Sequence, residues 1–110
     1  MIKWCDWKPM PAPTECRNII GPEGPGVYQI RNKKTGQYIQ FGESKNCRKR
    51  MKSFFPKPYG TGTRNNEKKR EYILTNWKVL EYRTCPTNSK EEAVQIDRKL
   101  KSLNNHLFNT

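Results

Sequence analysis

The sequence predicts a mixed α/β domain of the α+β kind, with a small three-stranded antiparallel sheet flanked by helices in the order β-β-α-α-β-α. A chain of 110 residues suits one hydrophobic core. Residues 27–31 and 38–41 are short β-branched and aromatic runs around a polar connector that contains Gly36, which indicates an antiparallel hairpin. Helical patterns elsewhere supply the helices that three strands need for stability.

The N-terminal part is predicted to be an irregular extension, residues 1–24, ahead of a domain at residues 25–110. Five of the eight prolines lie in the first 25 residues, together with Trp4 and Trp7. We expect these tryptophans to cover the sheet, with a dimer contact as the alternative. Proline and glycine at positions 25 and 26 then mark the entry into the first strand.

The hairpin leads into a predicted helix that Ser44 caps and that ends near Phe55. Arg50 lies at the edge of its apolar stripe, where it can face a groove. A breaker-rich loop at residues 56–63 and a very basic helix at residues 65–74 follow. The apolar residues of the first helix recur at helical spacing: Cys47, Met51, Phe54 and Phe55.

Residues 77–83 alternate as a third strand that places three residues on one face: Trp77, Val79 and Glu81. The last helix has the clearest beginning, because Ser89 and Glu92 form a capping box. Asp97 lies at the edge of its apolar stripe. That stripe has four members at helical spacing: Ala93, Ile96, Leu100 and Leu103.

The charge of the chain is concentrated in its middle. The net charge is +12, from 22 Lys and Arg against 10 Asp and Glu. Residues 31–70 hold thirteen of the basic residues and two acids, a net of +11, whereas residues 1–25 are neutral. Such a field suits a polyanion, nucleic acid above all. The interleaved Tyr, Phe and Gly argue against a disordered basic tail, which would be poor in aromatic residues.

Several classes of protein are disfavoured. The N-terminus does not resemble a signal peptide, and no apolar run approaches membrane-spanning length. The prediction is a cytoplasmic protein with no membrane partner and no organic cofactor. The four cysteines and the single histidine lack metal-ligand spacing, which disfavours zinc. We expect reduced thiols packed as small hydrophobes, and a Cys5–Cys16 bridge only in an oxidising compartment.

Four separated segments resemble the GIY-YIG nuclease family. Residues 26–28, Gly-Val-Tyr, resemble its first tripeptide. Gly42 and the basic residues 44–50 resemble the glycine and the helix that follow the second tripeptide. Residues 93–97 resemble the helical segment that ends on the metal-binding acid, and residues 107–109 end on a matching asparagine. The resemblance covers residues 25–109.

The resemblance implies a DNA endonuclease that depends on Mg²⁺ or Mn²⁺. It puts Tyr28 at the first tyrosine of the motif, Arg50 at the phosphate-binding arginine and Asp97 at the metal-binding acid. Asn109 falls on the asparagine beyond that acid. These residues are the predicted catalytic and metal-binding set, together with two candidates for the second tyrosine.

Those two candidates arise because the sequence departs from the family pattern. Gln40 falls where the family has its second tyrosine. Tyr38 lies two residues earlier with the same strand parity, and a bulge could also bring it into the role. The chain further has Asp97 where a glutamate is usual, and Glu43 where many members carry a lysine.

The residue types themselves support a hydrolytic site. Phosphodiester cleavage needs an activated water, a cation on the non-bridging oxygens and a metal for the developing charge. Tyr28 could accept a proton from water, or orient the water, if Arg50 or a metal lowered its pKa. Arg50 can grip a phosphate bidentately. Asp97 would leave most Mg²⁺ positions to water and phosphate oxygens.

Each residue also has a plainer interpretation. Tyr28 can pack on the sheet, Arg50 can be a solvated charge, and Asp97 can pair with the lysine at i+4. Glu92 competes as a metal ligand, although its capping role already accounts for it. His106 is expected at the surface.

The leading hypothesis is a metal-dependent endonuclease acting on DNA, with branched and single-stranded DNA among the candidate substrates. The alternatives are a non-catalytic nucleic-acid-binding module of the same fold and, third, a basic RNA-binding structural protein. A homo-oligomer or a partner that confers specificity stays open. For residues 68–70, phosphate contact and a plain solvated face are equally compatible with the sequence. The predicted nucleic-acid contacts are Lys33, Lys45, Arg48, Lys49, Lys68, Lys69 and Arg70.

Overall fold

The computed structural model describes residues 2–62 and 67–109, which form a mixed α+β domain. Its helices are α1 (Cys47–Met51), α2 (Glu67–Asn76) and α3 (Lys90–Leu103), with 3₁₀ turns at Pro13–Asn18 and Trp77–Val79. Its strands are β1 (Lys8–Pro9), β2 (Gly26–Asn32), β3 (Tyr38–Ser44), β4 (Leu80–Pro86) and β5 (His106–Phe108).

The sheet has the order β1-β4-β2-β3-β5, so the prediction of three strands is wrong. The three predicted strands form its antiparallel centre, in which β2 pairs with both β3 and β4. The two additional strands extend the edges, β1 antiparallel to β4 and β5 parallel to β3. These edge strands have two and three residues, too few for a period-two pattern to be recognised.

A bulge interrupts the pairing of β2 with β3. Ile30 is opposite Gln40, whereas the next residue, Arg31, is opposite Tyr38, so Ile39 is the extra residue. A bulge reverses the alternation of side chains along the strand. Tyr38 and Gln40 therefore do not share a face of the sheet, despite their spacing of two.

The two faces of the sheet carry separate cores. On one face, Tyr28 and Ile30 pack with Met51 of α1, Ile73 of α2 and other buried residues. On the opposite face, a smaller cluster joins the sheet to α3: Val27, Phe41, Ala93 and Leu100. Helix α3 thus covers one side, while α1 and α2 cover the other.

Helix α1 differs from its prediction at both ends. Asn46, not Ser44, is the N-cap, since its side chain accepts a hydrogen bond from the Lys49 backbone N–H at 3.0 Å. Ser44 is the last residue of β3. The helix ends at Met51, so the phenylalanines at 54 and 55 are buried in the turn that follows it.

The third predicted strand begins later than expected. The 3₁₀ turn Trp77–Val79 comes first, and β4 starts at Leu80. The buried side of β4 is therefore Leu80, Tyr82 and Thr84, and the predicted face of Trp77, Val79 and Glu81 is wrong. Of the second predicted helix, residues 65 and 66 lie outside the described residues, as does residue 63 of the preceding loop.

Helix α3 begins as predicted, with the Ser89 hydroxyl accepting a hydrogen bond from the Glu92 backbone N–H at 3.1 Å. Ala93 and Leu100 are buried, but Leu103 is 58% exposed and does not belong to the core. None of the helices among the described residues is long and apolar enough to cross a membrane. All four cysteines are free thiols, three of them buried.

Candidate active site

Tyr28 lies in the middle of β2 with only 7% of its surface exposed. Its ring packs edge-on against Phe54, with 4.9 Å between the ring centroids. Its partner in the neighbouring strand is Gly42, and a Cβ atom on that glycine would overlap the tyrosine ring. The glycine of the motif is therefore needed so that the tyrosine can lie across β3.

Residues from three parts of the chain line a cleft around Tyr28, called here the tyrosine cleft. Gln40 comes from β3, and Arg50, Ser53 and Phe54 come from α1 and the turn after it. Lys69 and Arg70 of α2 complete the lining. The guanidinium of Arg50 lies close enough to the hydroxyl of Tyr28 for its charge to lower the pKa of the phenol.

The environment of Tyr28 sets its protonation state. Burial raises the pKa of its phenol, and the nearby Arg50 opposes this rise without overcoming it. The net pKa lies above the usual value of 10.0, so the phenol is protonated at neutral pH. Such a hydroxyl orients a water by hydrogen bonding, whereas acceptance of the proton requires a further positive charge in the site.

Asp97 reaches the same region from α3. Its charge contributes to the raised pKa of Tyr28 and opposes the lowering of the pKa of Lys69. Burial, and then repulsion from Glu43, raise the pKa of the Asp97 carboxyl above 3.8, partly offset by nearby lysines that include Lys101. The structure therefore places Asp97 within electrostatic range of the tyrosine cleft, although Asp97 is not among the residues that line it.

Glu43 is a neighbour of this site that the sequence did not single out as functional. It follows Gly42 in β3, and its Oε2 lies 2.6 Å from the Nζ of Lys90 at the start of α3. Because Oε2 makes no aligned hydrogen bond, the contact is a charge pair. The only signal in the sequence is the replacement of a common family lysine at this position.

Asn109 follows β5, whose Phe108 pairs with Gln40. Its Nδ2 donates a hydrogen bond of 2.9 Å to the backbone oxygen of Lys101, one turn beyond Asp97 on α3. Its Oδ1 is buried and, within the described part of the chain, has no hydrogen-bond partner. An orphaned amide oxygen anchored to this helix is available to a water, a cation or a substrate group.

The oxygen donors of this region fit a hard divalent cation. Asp97 offers a carboxylate and Asn109 an amide oxygen, both ligand types that Mg²⁺ accepts. The described residues contain no group of three or more His, Cys, Asp or Glu side chains that could hold a metal. The protein would thus supply few ligands, as is usual for Mg²⁺ sites in which water and phosphate complete the shell.

Tyr38 is not part of the cleft. Its ring stacks on His106 on the face that α3 covers, with 5.1 Å between centroids. His106 is 7% exposed, so the expected surface position is wrong. Its Nε2 is 3.0 Å from the Nε2 of Gln29, and β5 carries it inward.

The predicted nucleic-acid contacts fall into three groups, of which the first, Lys69 and Arg70, lines the cleft itself. Lys33 and Lys68 are exposed and do not line the cleft. A groove of about 260 Å³ is lined by Lys45 and Lys49. It adjoins the cleft, because Arg50 and Ser53 line both. A second groove of about 600 Å³ continues from Lys49 to Arg48. These two grooves, called here the basic channel, lead away from Tyr28.

Fold and cleft together define a small basic α+β domain in which cations gather around a buried tyrosine, with a carboxylate within electrostatic range, an arrangement suited to phosphate esters. The family model described as the GIY-YIG catalytic domain matches residues 24–109. The chain belongs to the GIY-YIG nuclease family.

The relatives found are much longer proteins. UvrABC system protein C of Bacteroides thetaiotaomicron is 33% identical over 86 residues, which cover 76% of this chain and 13% of that protein. The protein of the same name from Bacteroides fragilis is 32% identical over 79 residues, 72% of this chain and 12% of its own length. The chain thus spans about an eighth of these relatives. No solved structure matches.

Proposed function

We propose that this protein is a divalent-metal-dependent endonuclease that hydrolyses phosphodiester bonds of DNA in the tyrosine cleft. The observation that carries the proposal is that Arg50 lies beside the buried Tyr28 in one cleft, with the carboxylate of Asp97 within electrostatic range of both the tyrosine and Lys69. Family membership supplies the reaction class. DNA is the polyanion that the basic channel is proposed to bind.

Arg50 is proposed to hold the scissile phosphate. Its planar guanidinium can donate two parallel hydrogen bonds to non-bridging oxygens, which fixes the phosphate and offsets the charge that grows in the transition state. The guanidinium lies beside the Tyr28 hydroxyl before substrate binds. Such preorganisation avoids a reorganisation cost at the moment of reaction.

Tyr28 is proposed to orient the attacking water. Because its pKa is raised, the phenol hydroxyl is intact at neutral pH and positions the water for in-line attack. The water adds to phosphorus and loses its proton to solvent, the bond to the leaving oxygen breaks, and that oxygen takes up a proton from solvent to leave as an alcohol. Gln40 lines the cleft with an amide that can hold the same water or a phosphate oxygen.

Asp97 and Asn109 are the residues proposed to hold the metal. Mg²⁺ or Mn²⁺, when bound, supplies positive charge for the leaving oxygen and lowers the pKa of nearby water. The aspartate is one methylene shorter than the usual glutamate. The orphaned Oδ1 of Asn109 offers an oxygen ligand from the neighbouring segment.

The basic channel is proposed to carry the DNA backbone beside the scissile bond. Lys45 and Lys49 line it next to the cleft, and Arg48 lies farther along. Phosphate contacts of this kind give salt-dependent binding without sequence preference. Single-stranded and branched DNA are the proposed substrates. A cytoplasmic location is proposed from the four free thiols.

A non-catalytic DNA-binding module is the second candidate. The observation that favours it is Glu43, a carboxylate that repels Asp97 at the position where many family members carry a lysine. The replacement of the second tyrosine by Gln40 points the same way. Such a module would bind DNA through the basic channel and cut none.

The test is nicking of supercoiled plasmid by the wild type and by Asp97→Ala, with Mg²⁺, Mn²⁺ or EDTA. We expect metal-dependent nicking by the wild type and at least a 100-fold loss in the variant, in line with the removal of one charge-stabilising group. DNA binding measured in parallel should change little. Binding without nicking by the wild type at any metal concentration would establish the second candidate instead.

A further inference from the structure

Three consecutive basic residues of α2 have different environments. Lys68 is exposed to solvent, Lys69 is half-buried in the tyrosine cleft, and Arg70 is 6% exposed. The three residues cannot be distinguished from the sequence, since all are cations in one basic run. The structure separates them by exposure and by the groups they face.

Arg70 connects α2 to the segment that precedes it through a hydrogen bond and a packing contact. Its Nε donates a hydrogen bond of 2.8 Å to the backbone oxygen of Ser53, and its side chain packs directly on Gly62. Because Ser53 also lines the cleft, this contact fixes α2 relative to the turn that follows α1. The position of Lys69, the preceding residue, is fixed as a consequence.

Lys69 faces both halves of the site. Burial lowers the pKa of its ammonium group, and repulsion from Arg50 and Arg70 lowers it further, while Asp97 acts in the opposite direction. Its side chain thus lies within electrostatic range of the phosphate-binding arginine and of the metal-binding acid. Arg50 comes from α1 and Lys69 from α2, so the two cations approach the cleft from different elements.

The lining of the cleft, as far as the structure describes it, contains three cations and no carboxylate. Like charges in a partly buried site repel one another, which costs folding free energy. An anion bound among them removes that cost. The clustering of three cations from two helices is thus the electrostatic signature of an anion site, one that a single solvated arginine would not produce.

We propose that Lys69 is a second phosphate-binding residue of this active site, contacting a non-bridging oxygen of the scissile phosphate that Arg50 holds. The inference rests on the proposed function and adds a catalytic residue to it. Lys69 acts as a point charge, whereas Arg50 sets the orientation of the phosphate. With Glu43 present, Lys69 also offsets negative charge near Asp97.

Two neighbouring substitutions test the inference: Lys69→Ala and Lys68→Ala remove the same charge from one helical turn. We expect Lys69→Ala to lower kcat about 100-fold, the usual loss for one transition-state donor, with a small change in KM. Lys68→Ala should act mainly on KM and its salt dependence, and any loss of kcat should be at least tenfold smaller than that of Lys69→Ala. Lys69→Arg, which retains the charge, should recover at least a tenth of the lost rate.

Binding of inorganic phosphate supplies a second readout that needs no catalysis. Chemical-shift changes of the cleft residues should saturate with phosphate in the wild type and in Lys68→Ala. We expect the affinity for phosphate to fall about tenfold in Lys69→Ala. Equal behaviour of the two alanine variants in both assays would overturn the inference.

The two proposals can fail separately. If the wild type never nicks DNA, but Lys69→Ala alone lowers the affinity for phosphate, the nuclease function is refuted and the phosphate site is supported. A wild type that nicks DNA with unchanged kcat in Lys69→Ala would support the nuclease and refute the role of Lys69.

Discussion

The two faces of the sheet treat their cations in opposite ways. On the face covered by α3, the guanidinium of Arg83 lies 4.4 Å from the ring centroids of both Trp4 and Trp7, and its Nε donates a hydrogen bond of 2.8 Å to the side-chain oxygen of Gln29. Arg31 lies 4.0 Å from the Trp7 centroid and pairs with Glu81. On this face, partners from the chain itself surround the positive charges.

On the other face, the positive charges surround a cavity. Arg50 lies beside the buried Tyr28, Lys69 approaches from α2, and the cleft lining among the described residues contains no carboxylate. The contacts on the α3 face therefore stabilise the fold. The cleft face retains electrostatic repulsion that a ligand can relieve, which is typical of functional sites.

Gly42→Ala should cause a large loss of nicking activity. The added methyl group would overlap the ring of Tyr28, and displacement of a catalytic group by about 1 Å costs about 100-fold in rate. Nicking assays should show that loss. Gly24→Ala is the matched control, because nothing lies within 4 Å of a Cβ at that position. Equal activity of the two variants would show that the position of Tyr28 does not matter.

Asp97→Asn should separate stability from activity. The substitution removes the repulsion from Glu43 and the burial of a charge, so we expect the melting temperature to rise while nicking falls about 100-fold. The gain in stability should be about 0.5 kcal/mol, the usual size for one pair of like charges. Thermal unfolding at pH 7 measures it. A lower melting temperature would mean that Asp97 serves the fold.

The acid limit of stability should come from the α3 face. Gln29 accepts a hydrogen bond from Arg83 through its oxygen, so its amide nitrogen donates to the Nε2 of His106, which must be unprotonated there. Burial lowers the pKa of His106 from 6.5 to about 4. The unfolded chain therefore takes up a proton first as the pH falls.

The stability that this histidine contributes is complete above pH 6.5 and is lost as the pH falls from 6.5 towards 4. The loss should reach at most about 3 kcal/mol. Urea unfolding at several pH values measures it, and His106→Gln should flatten the dependence in this window. A wild-type free energy of unfolding that stays constant between pH 6.5 and 4 would contradict the assignment.

The smallest expected loss of stability concerns the N-terminal segment. Trp7→Ala removes the ring that both Arg31 and Arg83 contact, and we expect a loss of about 1–2 kcal/mol in the free energy of unfolding. Its kcat should be unchanged, because the ring lies on the face away from the cleft. A drop in kcat at full folding would show that the two faces are coupled.

Much of the centre of this fold could be predicted from the sequence. The hairpin around Gly36 and the cap at Ser89 are local patterns, and local patterns indicate both the elements and their order. The edge strands β1 and β5 could not be predicted, because their partners are far away in sequence and they are too short to show a period. The N-cap at Asn46 was missed because Ser44 is an equally good capping residue.

The candidate site divides in the same way. Tyr28, Arg50 and Asp97 are predicted from the resemblance to the family motifs; the structure places Tyr28 and Arg50 in one cleft and Asp97 within electrostatic range of it. The bulge at Ile39 determines that Gln40 and not Tyr38 lines the cleft. No residue pattern in the sequence predicts such a bulge. Glu43 lies in β3 and Asp97 in α3, so the repulsion between them depends on tertiary packing alone.

The most direct test of the central claim, that the tyrosine cleft is where DNA is cut, is single-turnover cleavage of a labelled DNA by the wild type and by Arg50→Ala, with binding measured by anisotropy in the same samples. We expect the variant to bind within about tenfold of the wild type and to cleave at least 100-fold more slowly with Mg²⁺. Arg50→Lys should stay within tenfold of the alanine variant, because lysine cannot grip the phosphate bidentately. An Arg50→Ala protein that cleaves at the wild-type rate would contradict the account.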